Sequence, residues 1–278
     1  MAVITMTREM GTGGKDVTDR LSDRLGLKVV HHELIESAVA ARTGLPEGEV
    51  HRFLEGEATL LERWKVGTRR LSRSTALEIL EIAGQGNVLI RGWGAPYLLR
   101  EVPHVLCVRI TAPMPFREAT LMQRLGIEDV SVVRREIERN DAAHNGTMQK
   151  MFGIDWSDAS LYAITLNRGR LSIEDCVDHI VQLTRSPDFA ETAKSRAALD
   201  DQIISARIGA AIEERYGMDP SKLGVDLAVA GGAVTLSGAT SDERFIVEAI
   251  RLIQGVKGVK GVQSRIVHIG YSGLTRDL

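Results

Sequence analysis

Two cysteines in 278 residues, Cys107 and Cys176, are too few and too far apart for a disulfide scaffold or a cysteine-ligated metal cluster. Both sit in aliphatic surroundings and read as core residues in a reducing compartment. Aromatic residues make up only 4%, so aliphatic side chains must do most of the packing. No run of about 18 apolar residues occurs, as a membrane-spanning helix would need. Met1 to Met10 also lacks the basic stretch and apolar run of an export signal, so the expected location is cytoplasmic. An excess of one charge is missing too: 35 Lys+Arg against 37 Asp+Glu leave a net charge of -2. That argues against bulk nucleic-acid binding and leaves room for a local phosphate pocket. What is present, 44% hydrophobic and 26% charged residues with 27 glycines and 7 prolines, is the composition of a globular protein. At about 150 residues per domain, the length fits two domains better than one.

Periodicity divides the chain. Short apolar runs at Val3 to Met6, Leu27 to Val30, Asn87 to Ile90, Val105 to Ile110 and Leu161 to Leu166 predict strands. Amphipathic stretches at Asp16 to Leu25, His32 to Ala41, Glu47 to Glu55, Thr75 to Ala83, Phe116 to Gln123, Val132 to Ala143 and Ile173 to Leu183 predict the helices between them. Strands separated by helices imply right-handed crossovers and an α/β fold with a parallel sheet. Ligands of such sheets bind beyond the carboxyl ends of the strands. From Arg185 to Arg196 the pattern weakens and Pro187 appears, which reads as a linker. Beyond it, helices at Leu199 to Tyr216 and Asp242 to Gln254, a hairpin turning at Gly231-Gly232 and a closing strand at Val262 to Ile269 predict a small α+β module. Ser241 is the expected N-cap of its second helix. The expected division is residues 1–184, a linker at 185–198, and residues 199–270.

The first strand runs into Arg8-Glu9-Met10-Gly11-Thr12-Gly13-Gly14-Lys15-Asp16, a glycine-rich turn that opens a helix. Converging backbone amides and the helix N-terminus make such a turn suited to an anion. The full phosphate-loop pattern, Gly, four residues, Gly-Lys-Ser/Thr, is not met. Aligned on Gly14-Lys15, it puts Glu9 at the first glycine and Asp16 at the hydroxyl position; shifted by one residue, it puts Gly14 at the lysine position. The alternative reading is a tight strand-to-helix connection without a ligand. Gly11, Thr12, Gly13, Gly14, Lys15 and Asp16 are the expected phosphate-binding set.

The run from Ile4 through Gly14, followed by Arg24-Leu25-Gly26-Leu27, resembles the opening of the cytidylate-kinase-like family of phosphate-loop proteins. The likeness continues at Gly86 to Ile90, Gly94 to Leu99, Val108 to Pro113 with Phe116-Arg117, Phe152 to Trp156, and Leu161-Tyr162 through Asn167. The resemblance implies a nucleoside monophosphate kinase fold: a five-stranded parallel sheet flanked by helices, a monophosphate-binding segment and a lid. It also implies ATP and Mg2+ as cofactors and transfer of the terminal phosphoryl group to CMP or dCMP. Such transfer depends on cations that position and neutralise phosphate, so arginines are the residues to test. The resemblance makes Lys15, Arg134, Arg135 and Arg139 the catalytic candidates, and Arg91, Arg69 and Arg70 the monophosphate-binding ones. Arg117 and Arg124 lie on the helix after strand four.

The pattern departs from the family in three places. His31 stands where an aspartate often follows strand two, Gly92-Trp93-Gly94 replaces a Gly-Arg-Gly, and Asp141 is followed by His144 where the lid commonly has an arginine. Each singled-out residue has a plainer reading. Arg69, Arg70 and Arg73 also fit a solvated helix face, His31 and His32 a strand-end polar patch, Trp93 packing beside a turn, and Asp16 a first-turn acid that stabilises its helix.

The stretch Leu199 to Ile269 resembles a BON domain: Ile203, Ile208 and Ile212 on its first helix, the Gly231-Gly232 turn, Val234 to Gly238, and Glu243 to Ile253. Gly238 is expected in a tight turn. The resemblance implies a non-catalytic module that binds phospholipid or another ligand, including protein; Lys257 and Lys260 alone are fewer than the 4–8 basic residues of an anionic-lipid site. Two functional readings follow. One is an active kinase. The other is a degenerate kinase that holds a nucleotide or other phosphorylated small molecule, with the BON-like module in a regulatory role.

Overall fold

The computed structural model describes residues 1–54, 68–92, 94–217, 224–240 and 243–268. The chain divides into two units, Met1–Arg196 and Ala197–Leu278. In the first, five strands form one parallel sheet: β1 Val3–Arg8, β2 Lys28–Val30, β3 Val88–Arg91, β4 Val105–Thr111 and β5 Ile164–Asn167, in the order β2-β3-β1-β4-β5. The predicted α/β class and five-stranded parallel sheet are the observed ones. β1 is central because its residues suit burial on both faces. Val3, Ile4, Thr5, Met6 and Thr7 are buried; Val3 to Met6 pair with β3 on one side, and Val3 to Arg8 with β4 on the other.

Helices cover the sheet: α1 Gly14–Leu25, α2 His32–Thr43, α3 Glu47–Leu54, α4 Thr68–Gln85, α5 Ala95–Leu99, α6 Met114–Leu125, α7 Val130–Phe152 and α8 Ile173–Thr184. α8 shows why the pattern was readable. Ser172 and Asp175 form a reciprocal capping box, and Cys176, Val177, Ile180 and Val181 bury one face against Val17 and Leu21 of α1 and the strands. Full burial of an aliphatic side chain contributes about 1.5–3 kcal/mol, so this stripe outweighs the helix's own propensity. Both cysteines are buried thiols, and burial pushes Cys107 up to about 11.

α7 runs nine residues past the predicted Ala143, through His144-Asn145-Gly146-Thr147, a poor helix-forming stretch. Tertiary contacts override propensity there: Thr147 and Met148 are buried, and Phe152 packs on Tyr97 with ring centroids 5.3 Å apart. α5 went unpredicted because five residues with a proline in the first turn carry no readable period. The segment read as a linker contains a 3-10 turn at Pro187–Phe189 and the start of α9, Ala193–Tyr216, where Thr192 and Ser195 bond each other.

In the second unit, β6 Val225–Ala230 pairs antiparallel with β7 Ala233–Thr240, and β8 Gly261–His268 pairs parallel with β7 after α10, Glu243–Gln254. Ile204, Ile208 and Ile212 pack with Val225, Val234, Leu236 and Ile253. Gly231 and Gly232 turn the hairpin at φ of 58° and 82°, and both amides donate to the Asp201 carboxylate at 2.8 Å. Gly238 lies within β7, paired with Val225, rather than in a turn, and the Gly224 carbonyl approaches it too closely for a side chain. Ser241 lies outside the described residues. No helix among those described is long and apolar enough to cross a membrane.

Candidate functional site

Where β1 ends, the chain turns through Gly11 and Gly13, whose φ values of 81° and 70° are left-handed. Gly13 caps α1, and its carbonyl accepts from the amides of Asp16 and Val17. The amides of Gly13, Gly14 and Lys15 have no backbone acceptor among the described residues. Three such donors at a helix N-terminus suit the oxygens of a phosphate.

The loop is held from beneath by charge. The Glu9 carboxylate accepts from Arg109 Nη2 at 2.6 Å, Thr111 Oγ1 at 2.6 Å and the Ala112 amide at 3.2 Å, which ties the loop to the end of β4. Arg117, buried on α6, donates Nε to the Met10 carbonyl at 2.7 Å and grips Asp141 of α7 with both Nη atoms at 2.8 and 2.7 Å. Its own carbonyl backs onto Gly11, where a Cβ would lie 2.6 Å away.

Beside the loop, at the carboxyl ends of β1 and β3, is a cavity of about 240 Å³. Arg8, Arg91 and Arg124 line it together with His32, Asn140 and His144, and no carboxylate is among its described lining residues. Arg91 is buried, and its Nη1 has no hydrogen-bond partner among the described residues. Burial pushes Arg8 down to about 10, with the like charges of Arg91 and Arg124 adding to it. Burial likewise lowers His32, which favours its neutral form. Three arginines thus meet at one cavity, with Asp16 and Asp19 acting on Arg8 and Glu33 on Arg91 from outside its lining, and such a local excess of cations suits an anion.

The sequence-derived candidates separate spatially. Arg91 lines the cavity, together with Arg124. Lys15 is exposed and pairs with Asp19 at 2.8 Å; Asp16 is exposed in the first turn of α1. On α7, Arg134 pairs with Glu118, Arg135 donates to the Ser131 carbonyl at 3.2 Å, and Arg139 pairs with Glu136 at 3.0 Å. None of these three is among the cavity's lining residues. Arg70 donates to the Thr43 carbonyl at 3.4 Å; the side chain of Arg69 and all of Trp93 lie outside the described residues. Among the described residues no cluster of three His, Cys, Asp or Glu is placed to hold a metal. Sequence reasoning did not assign roles to Arg8, to Arg109, or to Arg168, whose guanidinium lies beside Gly13. The available signal was position, since Arg8 and Arg168 stand at the carboxyl ends of β1 and β5.

Residues 3–170 match the model of the cytidylate kinase-like family, and residues 200–269 that of the BON domain. The chain belongs to the cytidylate kinase-like family. A cytidylate kinase of Pyrobaculum aerophilum is 24% identical over 177 residues, which cover 64% of this chain and 89% of that protein. One of Aeropyrum pernix is 25% identical over 175 residues, covering 63% and 94%. A crystal structure of an uncharacterized protein from Eubacterium ventriosum aligns with a TM-score of 0.53 at 17% identity, covering 66% of this chain and 97% of its own, and this likeness concerns the fold.

In this cytidylate kinase-like domain, the glycine loop has a steric ranking that can be measured. Gly11→Ala must adopt a left-handed φ and meets the Arg117 backbone, whereas a Cβ on Gly13 has nothing nearer than 3.8 Å. Gly11→Ala is expected to cost about 3 kcal/mol and Gly13→Ala about 1 kcal/mol. Lys15→Ala removes only a surface pair and is expected to cost under about 0.5 kcal/mol. Thermal unfolding of the three variants checks the order.

His144 of this domain packs on the Trp156 ring, centroids 4.2 Å apart, and burial pushes it down to about 4. The unfolded histidine takes a proton near pH 6.5 and the folded one near 4, so stability present above pH 6.5 falls as the pH drops from 6.5 to 4. Allowing for partial exposure, the loss is about 2 kcal/mol. Denaturant titrations from pH 7 to 4 should show a weaker acid dependence for His144→Gln than for the native chain.

Proposed function

We propose that the domain binds a nucleoside monophosphate in the arginine cavity and the phosphates of ATP at the glycine loop, and transfers the terminal phosphoryl group to CMP or dCMP. The observation that carries this reading is the convergence of Arg8, Arg91 and Arg124 on one cavity without a carboxylate, next to a helix N-terminus with open amides. The curated relatives are named cytidylate kinases, which supports a cytidine monophosphate as acceptor. In phosphoryl transfer the protein aligns two substrates and neutralises charge, and these groups are of the required kind. Mg2+ arriving with ATP is held largely by phosphate oxygens and water. Asp16, exposed at the start of α1, is the carboxylate of this loop that fits such an ion.

A second reading, nucleotide binding without turnover, is favoured by one observation: Lys15, Arg134, Arg135 and Arg139 are engaged with neighbours on their own or adjoining helices. Under either reading the BON domain is a regulatory or ligand-binding module. A coupled assay with ATP, Mg2+ and each of CMP, dCMP, UMP and AMP tests the choice. Turnover on CMP or dCMP establishes the kinase; saturable CMP binding by calorimetry without turnover establishes the binding protein. Absence of both rejects the cavity as a nucleotide site.

A further inference from the structure

In the alignment that places Gly14 at the lysine of a phosphate loop, the position of the loop's first glycine falls on Arg8. Those two departures meet in space. A Cβ built on Gly14 would lie 2.7 Å from Arg8 Cδ and 2.9 Å from Arg8 Cβ, so the arginine stem lies directly over the glycine. Gly14 opens α1 and is absent from the glycines with positive φ, so its backbone accepts any residue. What keeps a side chain out is Arg8. The stem of one cationic residue thus occupies the room that the stem of another would need.

We propose that Arg8 replaces the phosphate-loop lysine, its guanidinium reaching from the end of β1 across Gly14 to the phosphates of a nucleoside triphosphate held by the loop amides. This rests on the reading of the glycine loop as the triphosphate site. Arg8 makes no hydrogen bond or salt bridge among the described residues, and it lines the cavity that adjoins the loop. Asp16 and Asp19 act on it from a distance, while burial and the charges of Arg91 and Arg124 work against its cationic form. An incoming triphosphate relieves that repulsion and receives a forked donor that can bridge two oxygens.

The two positions should therefore be exchangeable as a pair and in no other way. ATP affinity, measured by calorimetry with Mg2+ and without monophosphate, is compared for the native chain, Arg8→Ser, Gly14→Lys and the double variant, each verified as folded by its melting curve. Arg8→Ser is expected to weaken ATP binding about 30-fold, the scale of a charged hydrogen bond. The double variant, with the stem removed and a lysine in its place, should recover to within about fivefold of native affinity. Gly14→Lys alone should bind less tightly than the double variant, because two stems compete for one space. Arg8→Gln serves if Arg8→Ser does not fold, since it keeps most of the stem and loses the charge. ATP binding within about threefold of native in a folded Arg8 variant overturns the proposal, as does a double variant no tighter than Arg8→Ser. Failure of the native chain to bind ATP at all would instead reject the triphosphate site on which the proposal stands.

Discussion

Arg91→Ala should weaken CMP binding about 100-fold while leaving the domain as stable as before or slightly more so. Both halves of that expectation come from one arrangement. Arg91 is buried at the end of β3, its Nη1 lacks a protein acceptor among the described residues, and its charge pushes against Arg8. A guanidinium kept in this way carries an electrostatic cost that Glu33 offsets in part and a bound anion offsets further, so its removal relieves the free protein and harms the complex. A structural arginine behaves in the opposite sense, because deleting it strands its partners. Calorimetric titration with CMP and a thermal melt of the same preparation separate the two cases. A lower melting temperature with unchanged CMP affinity would show that Arg91 is a packing residue and that the cavity serves another purpose.

Arg117→Ala is expected to be the most destabilising single change at the site. The side chain is 5% exposed and holds Asp141 by two bonds, the Met10 carbonyl by a third, and Glu9 at 3.7 Å. Truncation leaves the half-buried Asp141 without its cation and the Met10 carbonyl without its donor, while Glu9 keeps Arg109, which costs about 3 kcal/mol. For a unit of this size that corresponds to a fall in melting temperature of roughly 10 °C. Since Arg117 ties the glycine loop and α7 to α6, nucleotide affinity should fall with stability. Asp141→Asn should cost less alone, and in combination with Arg117→Ala the two should be less than additive. Additive losses, measured by denaturant unfolding, would mean that the pair is not coupled and that the loop is held by other contacts.

Much of the architecture was readable from local pattern. The strands that became β1 to β4 are apolar runs bounded by charge or glycine, and α1, α6 and α8 carry clean amphipathic stripes. Element ends were less readable where tertiary burial extended them, as at the far end of α7, or where an element is too short to show a period, as with α5. The glycine loop was visible as a tight turn into α1 because its requirements are backbone requirements, and glycine declares them in the sequence. The arginines were another matter. Lys15 has the right neighbours in sequence and points to Asp19, whereas Arg8, which lies over the loop, was passed over as the first residue of the turn.

The sequence by itself determined the succession of strands and helices, the glycine turn that opens α1, the change of module after α8, and the two families the segments resemble. These are properties of short windows: hydrophobic period, caps and backbone freedom. Only the tertiary structure decided which charges share a cavity and which neutralise one another. Arg8, Arg91 and Arg124 are more than thirty positions apart from one another, and a parallel sheet brings the ends of β1 and β3 together with α6. Glu9 and Arg109, a hundred residues apart, become partners for the same reason. Charge acts through space at distances set by packing, so an arginine's role is fixed by what lies within a few ångströms of its guanidinium, and spacing along the chain does not carry that information.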